Sequence, residues 1–318
     1  MSYAFYVKNF ADMQFASNRS IDHEEIAINF INKLRSELND TKFEELLTVS
    51  GFIPDLYGED SSEETLFSKL IECLVAEWAR RMAFGGEIIK EKASREDVKI
   101  TIGNNVVVCD AKSFRLGRSQ AAPNAKDFLK LEDIRKWVAR YHENAIGGLV
   151  TYPCKHEWSK HSDVYQYCST CDAPTVMLPY KYLAFLLNKK SCFEPNKLRE
   201  LWQNYGRLFP DKLPKKMQGG NKIPYWRVIN AEILRIVGVT EDDLFTYMAD
   251  ADKKISECIT ENMQYLFEYR NAVINKISSS VSKVQDLATL REQFIEYRKN
   301  IETREITQTM DRISQFRR

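Results

Sequence analysis

Asp97, Asp110 and Lys112 stand at the ends of two β-branched runs, Val98–Ile102 and Val106–Val108, which flank the turn residues Gly103-Asn104-Asn105. The pattern predicts a β-hairpin, because glycine and asparagine suit the positive φ angles of tight hairpin turns. With a two-residue loop of Gly103 and Asn104, Ile102 faces Asn105 and, at the open end, Asp97 faces Asp110. Side chains alternate along a strand. One face then carries Val98, Ile100, Ile102, Val107, Cys109 and Ala111, and the other carries Asp97, Asp110 and Lys112. Two carboxylates opposed across strands sit about 5 Å apart and repel, so the arrangement calls for a cation between them. Hard oxygen ligands of this kind suit Mg²⁺, which polarises a phosphoryl oxygen. A lysine on the same face can orient a water and neutralise developing negative charge. A one-residue slip in register would take Asp97 out of place. On residue types alone, a half-solvated hairpin with a polar face is the plainer alternative.

A second constellation lies downstream. Cys154 and His156 form a C-x-H pair, Cys168 and Cys171 a C-x₂-C pair, with eleven residues between the pairs. Two close-spaced Cys/His pairs are the usual tetrahedral zinc clip, so a small structural zinc knuckle is expected at residues 154–171. Scattered reduced thiols are the alternative, which the clustering of four such residues in eighteen argues against.

The pattern Asp–x(12)–Asp-Ala-Lys resembles the PD-(D/E)XK nuclease motif, with Arg95-Glu96 where a proline would precede the first aspartate. The block Asp110-Ala111-Lys112-Ser113-Phe114-Arg115-Leu116, with Lys126-Asp127-Phe128 after it and Leu66-Phe67-Ser68-Lys69 before it, resembles the HindIII-type restriction endonucleases. That resemblance implies an α/β, restriction-endonuclease-like core with a central mixed β-sheet flanked by helices. It also implies a type II enzyme that hydrolyses double-stranded, palindromic DNA with Mg²⁺, as a homodimer. Asp97 and Asp110 would hold the metal and Lys112 would serve the attacking water. Glu72, on a predicted helix, is the candidate for a further acid near the metal. Asn124, Lys126 and Asp127 match positions that the resemblance implies face the bases. Arg115 and Arg118 suit phosphates. Two residues are inserted after Gly117 relative to the family, and the zinc constellation has no counterpart in it. Two other readings stay open: a different nuclease of the same fold, of repair, nicking or transposase type, and a non-catalytic, zinc-containing DNA-binding or scaffold protein.

The elements that must position these residues can be read outward from the hairpin. Asp22–Leu38 has a helical apolar stripe (Ile26, Phe30, Ile31, Leu34), Phe43–Leu47 suits a short second helix, and residues 1–21 resist assignment. Ser61 or Ser62 before Glu64 suggests a capped start for a helix running to Phe84, with Gly85-Gly86 as its stop. Helices are expected over Lys130–Tyr141, Pro179–Asn188, Asn196–Phe209 and Tyr225–Val237, with a Pro/Gly/Lys loop at 210–224. From Glu241 onward the chain is helical, and Leu287, Leu290, Phe294, Tyr297 and Ile301 step like a short coiled-coil seam. The expected organisation is a helical segment at 1–50, the core at 51–210 and a helical region at 211–318 that could serve dimerisation.

Bulk properties allow this reading without announcing it. The chain has 318 residues and a net charge of only +1, yet residues 111–140 carry eight Lys/Arg against three Asp/Glu, where a phosphate backbone would lie. Its seven cysteines and lack of a signal-peptide pattern suggest reduced thiols and a cytoplasmic location. No apolar run is long enough to span a membrane.

Overall fold

The computed structural model describes residues 3–17, 22–89, 95–117, 128–153, 164–169, 173–210, 225–281 and 287–315. The expected hairpin lies in the middle of its main sheet. β3 (Val98–Ile102) and β4 (Asn105–Ala111) pair antiparallel, with Ile102 opposite Asn105 and Val98 opposite Cys109. Gly103 supplies the positive φ, at +60°, which a type II′ hairpin needs at its first loop position. β2 (Gly85–Ile88) adds to β3 antiparallel. On the other side β6 (Ala145–Tyr152) and β7 (Thr175–Pro179) run parallel to β4. The result is a mixed five-stranded sheet in the order β2-β3-β4-β6-β7, beside a two-stranded parallel pair of β1 (Phe52–Ile53) and β5 (Phe114–Arg115).

Helices cover both faces. α4 (Ser62–Arg81) starts at Ser61, whose Oγ accepts from the Glu64 N–H at 3.2 Å, and ends on Arg80 and Arg81. Acidic residues in its first turn and basic ones in its last complement the helix dipole. Leu66, Leu70, Cys73 and Leu74 are completely buried and Trp78 nearly so. The backbone of β2 lies so close to α4 that a Cβ on Gly86 would meet the Ala76 carbonyl oxygen at 2.2 Å. Gly86 pairs with Ile100, so α4 covers the face that carries Val98, Ile100 and Cys109. The opposite face is covered by α5 (Leu131–Arg140), whose Ile134 side chain lies 2.5 Å from where a Gly148 Cβ would stand. Gly148 pairs with Val108, which puts α5 on the side of Asp110. The two faces of β4 are therefore both buried. The half-solvated hairpin holds only for β3, where Lys99 and Thr101 are partly exposed. Parallel strands covered by helices on both sides read as continuous apolar runs, as Val106-Val107-Val108-Cys109 does.

Most of the remaining helices match the sequence. α2 (His23–Glu37) is capped by Asp22, α3 covers Asp40–Thr48, and α7 (Tyr180–Asn188) follows β7 directly with every residue but Asn188 buried. The unassigned N-terminal stretch forms α1 (Tyr6–Ser17), which packs on α4. α6 is a short helix, Val164–Ser169. Two boundaries differ. The α4 helix stops at Arg81, because Ala83 takes φ +63°, and Gly85-Gly86 begin a strand. The single helix expected over Asn196–Phe209 is broken into a 3₁₀ turn at Pro195–Arg199 and single helical turns at Glu200–Gln203 and Tyr205–Leu208, with Asn204 outside helical geometry between them. α8 (Tyr225–Val237) leads through Gly238 to the 41-residue α9 (Glu241–Val281) and the 27-residue α10 (Ala288–Ser314), which pack on one another. α10 is anchored by buried Thr303 and Ile313, while Leu287, Phe294, Tyr297 and Ile301 are exposed. No helix among the described residues is long and apolar enough to cross a membrane.

Candidate active site

β3 and β4 stay in register as far as Val98 opposite Cys109, and Asp97 lies one residue beyond β3, at the open end of the hairpin near Asp110. The Asp97 N–H donates to the carbonyl of Cys109, the residue opposite Val98, at 3.0 Å, so the regular ladder ends at Val98. Its carboxylate Oδ2 accepts from the Ala111 N–H at 2.8 Å. Glu96, almost fully buried, accepts from the Tyr141 hydroxyl and lies 3.6 Å from Arg95 Nε, which fixes the chain just before Asp97.

Asp110 is 7% exposed on the last turn of the pleat before β4 ends. Its Oδ2 lies 2.7 Å from Lys112 Nζ. The contact is a close ion pair between a buried carboxylate and the lysine's ammonium. Lys112 Nζ also stands 5.3 Å from the centroid of the Phe128 ring.

A third carboxylate approaches from α4. Glu72 Oε2 accepts from Lys69 Nζ at 2.6 Å, and the same ammonium donates to the Ile89 carbonyl at 3.0 Å. Burial pushes the Glu72 carboxyl up to about 7; Lys69 opposes that rise and the charge of Asp110 adds to it. Asp97 is raised well above the usual carboxylate range, chiefly by burial, then by the negative charges of Glu72 and Asp110. The Ala111 N–H and Lys112 pull it back. Three carboxylates thus repel one another at one end of the sheet, where a single nearby ammonium touches Asp110 and another is held on Glu72. A cavity of about 580 Å³ between α2, α4 and the end of β2 reaches Glu72 and Asp97, so the carboxylates are not sealed from solvent.

This donor set suits a small divalent cation. Asp110 presents a buried carboxylate paired with Lys112, and Asp97 lies close enough for the two charges to repel. Among the described residues no three His, Cys, Asp or Glu side chains converge tightly enough to enclose a metal on their own. An ion held by this pair would keep waters or take substrate oxygens, which is how Mg²⁺ is commonly bound.

The sequence profile of the HindIII restriction endonuclease family matches residues 11–301. The chain belongs to the HindIII restriction endonuclease family. A similar curated protein is the type II restriction enzyme HindIII of Haemophilus influenzae, 28% identical over 194 residues. That alignment takes in 59% of this chain and 58% of the relative, so the chain spans somewhat more than half of that enzyme's length.

Of the other residues named from the sequence, Arg115 is placed in an internal role. Its guanidinium donates to the carbonyls of Pro54, Tyr57 and Gly58 and pairs with Glu64 at 2.8 Å. A phosphate contact would have to displace these partners. Arg118, Asn124, Lys126 and Asp127 lie outside the described residues, as do Cys154, His156 and Cys171. Cys168, the remaining member of the zinc constellation, is fully buried on α6, packed in the core cluster. Spacing alone therefore carries the zinc expectation.

Two residues at the site escaped the sequence reading. Lys69 sits one helical turn before Glu72, a spacing that could have been read as an ion pair on one helix face. Tyr180 donates its hydroxyl to the Lys112 carbonyl at 2.8 Å from the start of α7. A contact 68 residues apart leaves no local signal.

Proposed function

We propose that this protein is a type II restriction endonuclease that hydrolyses double-stranded DNA at a specific, palindromic site in the presence of Mg²⁺. Family membership and the closeness of Asp97 and Asp110, with Lys112 in contact with Asp110, support this reading. Asp97 and Asp110 would hold the metal. When bound there, Mg²⁺ supplies Lewis-acid polarisation of the scissile phosphate. Lys112 orients the attacking water and neutralises charge as it gathers on the phosphoryl oxygens. Asp110 holds that ammonium within reach of the phosphate. Glu72, oriented by Lys69, provides the further acid on the opposite wall. Attack in line with the 3′ oxygen breaks the P–O3′ bond and leaves a 5′-phosphate and a 3′-hydroxyl. A homodimer presents two such sites, one to each strand of a two-fold-symmetric target. Arg118, Asn124, Lys126 and Asp127 come after Lys112 in the sequence and would carry contacts to phosphates and bases.

The test is digestion of defined plasmid and phage DNA by the purified protein in Mg²⁺, with the ends of any fragments mapped. Discrete fragments with 5′-phosphate ends and one common flanking sequence are expected. A single nick per site would move the reading to a nicking or repair nuclease. Mg²⁺-independent DNA binding without cleavage would move it to the scaffold protein. The zinc ion on Cys154, His156, Cys168 and Cys171 is a separate component of the proposal, supported by spacing. One equivalent of zinc per chain, lost in Cys154→Ser, is its expected signature in elemental analysis.

A further inference from the structure

Lys112 has an unusual backbone position for a residue that must aim a charge. β4 ends at Ala111, so Lys112 stands one residue beyond the strand's last ladder position. A chain end beyond a sheet is free to fray unless something else holds its polar groups. Here both sides of the lysine are held. Its N–H donates to the Thr151 carbonyl of β6 at 2.8 Å. Its carbonyl accepts from the Tyr180 hydroxyl, also at 2.8 Å. Tyr180 is completely buried as the first residue of α7, just after Pro179 closes β7.

The chain makes room for that ring at some cost in side chains. Gly51 takes φ +91°, and a Cβ there would meet both a Tyr180 ring carbon and Pro153 Cγ at 2.6 Å. Gly51 in turn accepts from the Phe114 N–H through its carbonyl at 3.0 Å. The Lys112–Phe114 segment is therefore pinned from β6, from α7 and from the chain before β1. The Tyr180 ring is packed in the core, and its hydroxyl reaches the Lys112 carbonyl.

We infer that Tyr180 is a positioning residue for the reaction: its hydroxyl fixes the peptide after Lys112 and so sets the direction in which the ammonium leaves the sheet. The inference rests on the role given to Lys112 above. Tyr180 touches neither substrate nor metal and acts through the lysine. A displacement of about 1 Å in a catalytic group can cost on the order of 100-fold in rate.

The experiment compares wild type, Lys112→Ala and Tyr180→Phe in Mg²⁺-dependent cleavage of a duplex bearing the mapped site. DNA affinity is measured in Ca²⁺ and the melting temperature is followed by circular dichroism. Tyr180→Phe keeps the buried ring. The expected result is a fall in kcat of about 10- to 100-fold with KM, DNA affinity in Ca²⁺ and the melting curve shape unchanged. A structural role alone would lower the melting temperature and leave kcat of the folded enzyme intact. Tyr180→Phe with kcat within about twofold of wild type, while Lys112→Ala is inactive, overturns this inference and leaves the catalytic reading standing. Full activity in Lys112→Ala overturns the catalytic reading itself.

Discussion

At the scale of single residues the site is defined by charge that its surroundings do not balance. Asp97 and Glu72 are both raised, mainly by burial and then by neighbouring carboxylates. A carboxyl that is more basic folded than unfolded binds protons preferentially in the native state. Its contribution to stability is therefore full below the unfolded value and is lost as pH rises through the folded one. For Glu72 that window runs from about 4.5 to about 7. The metal-free protein should accordingly lose stability across this range through Glu72, and Glu72→Gln should flatten the fall. Melting temperatures of both proteins at pH 5 and pH 8 in EDTA check this; identical pH slopes would contradict it. Added Ca²⁺ should raise the wild-type melting temperature more at pH 8 than at pH 5, and Asp110→Asn should remove that rise. The hairpin register from Ile102 opposite Asn105 to Val98 opposite Cys109 was legible in the sequence, because a strand's alternation and a glycine turn fix who faces whom. Lys69 and Tyr180 were not, since each acts through a contact that depends on how α4 and α7 pack against the sheet.

The elements hold these residues by close approach and by capping, and both can be tested without touching the chemistry. Gly86 lets β2 lie on α4, where a Cβ would meet the Ala76 carbonyl oxygen at 2.2 Å. A backbone oxygen has little freedom to move away, so Gly86→Ala should destabilise by about 2 kcal/mol or more, in the range of overpacked cores. Urea unfolding measures it, and an unchanged midpoint would show that the strand can shift. Ser61→Ala removes the cap of α4 and should cost about 1 kcal/mol by the same measurement. The start of α4 was readable from Ser61 and Glu64, because capping is local chemistry. Its end was misread at Phe84, since Ala83 adopts a left-handed φ that its type does not announce. The stretch at 195–208 misled for the opposite reason: its apolar spacing suits a helix, but Leu198, Leu201, Trp202 and Leu208 are buried from three separate short turns.

At the scale of the whole molecule the α/β plan was visible as β-branched runs bounded by amphipathic helices, and the mixed sheet between α4 and α5 matches it. Strand order was not visible, because β4, β6 and β7 come together across connections whose sequence says nothing about neighbours. The helical C-terminal region was legible too, but its seam takes a different place from an internal one. Leu287, Phe294, Tyr297 and Ile301 remain exposed on α10, which a two-fold partner could cover. If this face joins the homodimer, Phe294→Asp with Tyr297→Asp should give a monomer by light scattering and turn double-strand cleavage into nicking. A dimer of unchanged mass would place the subunit contact elsewhere. The proposed activity depends on Asp97, Asp110 and Lys112 together hydrolysing DNA. The measurement that tests it most directly is cleavage of defined DNA in Mg²⁺ by wild type and by Asp110→Asn under the same conditions. Wild type should give discrete fragments and the variant should lose at least about 1,000-fold in rate, the scale of removing a charge-stabilising group at a reacting centre. Cleavage by Asp110→Asn at the wild-type rate would contradict it.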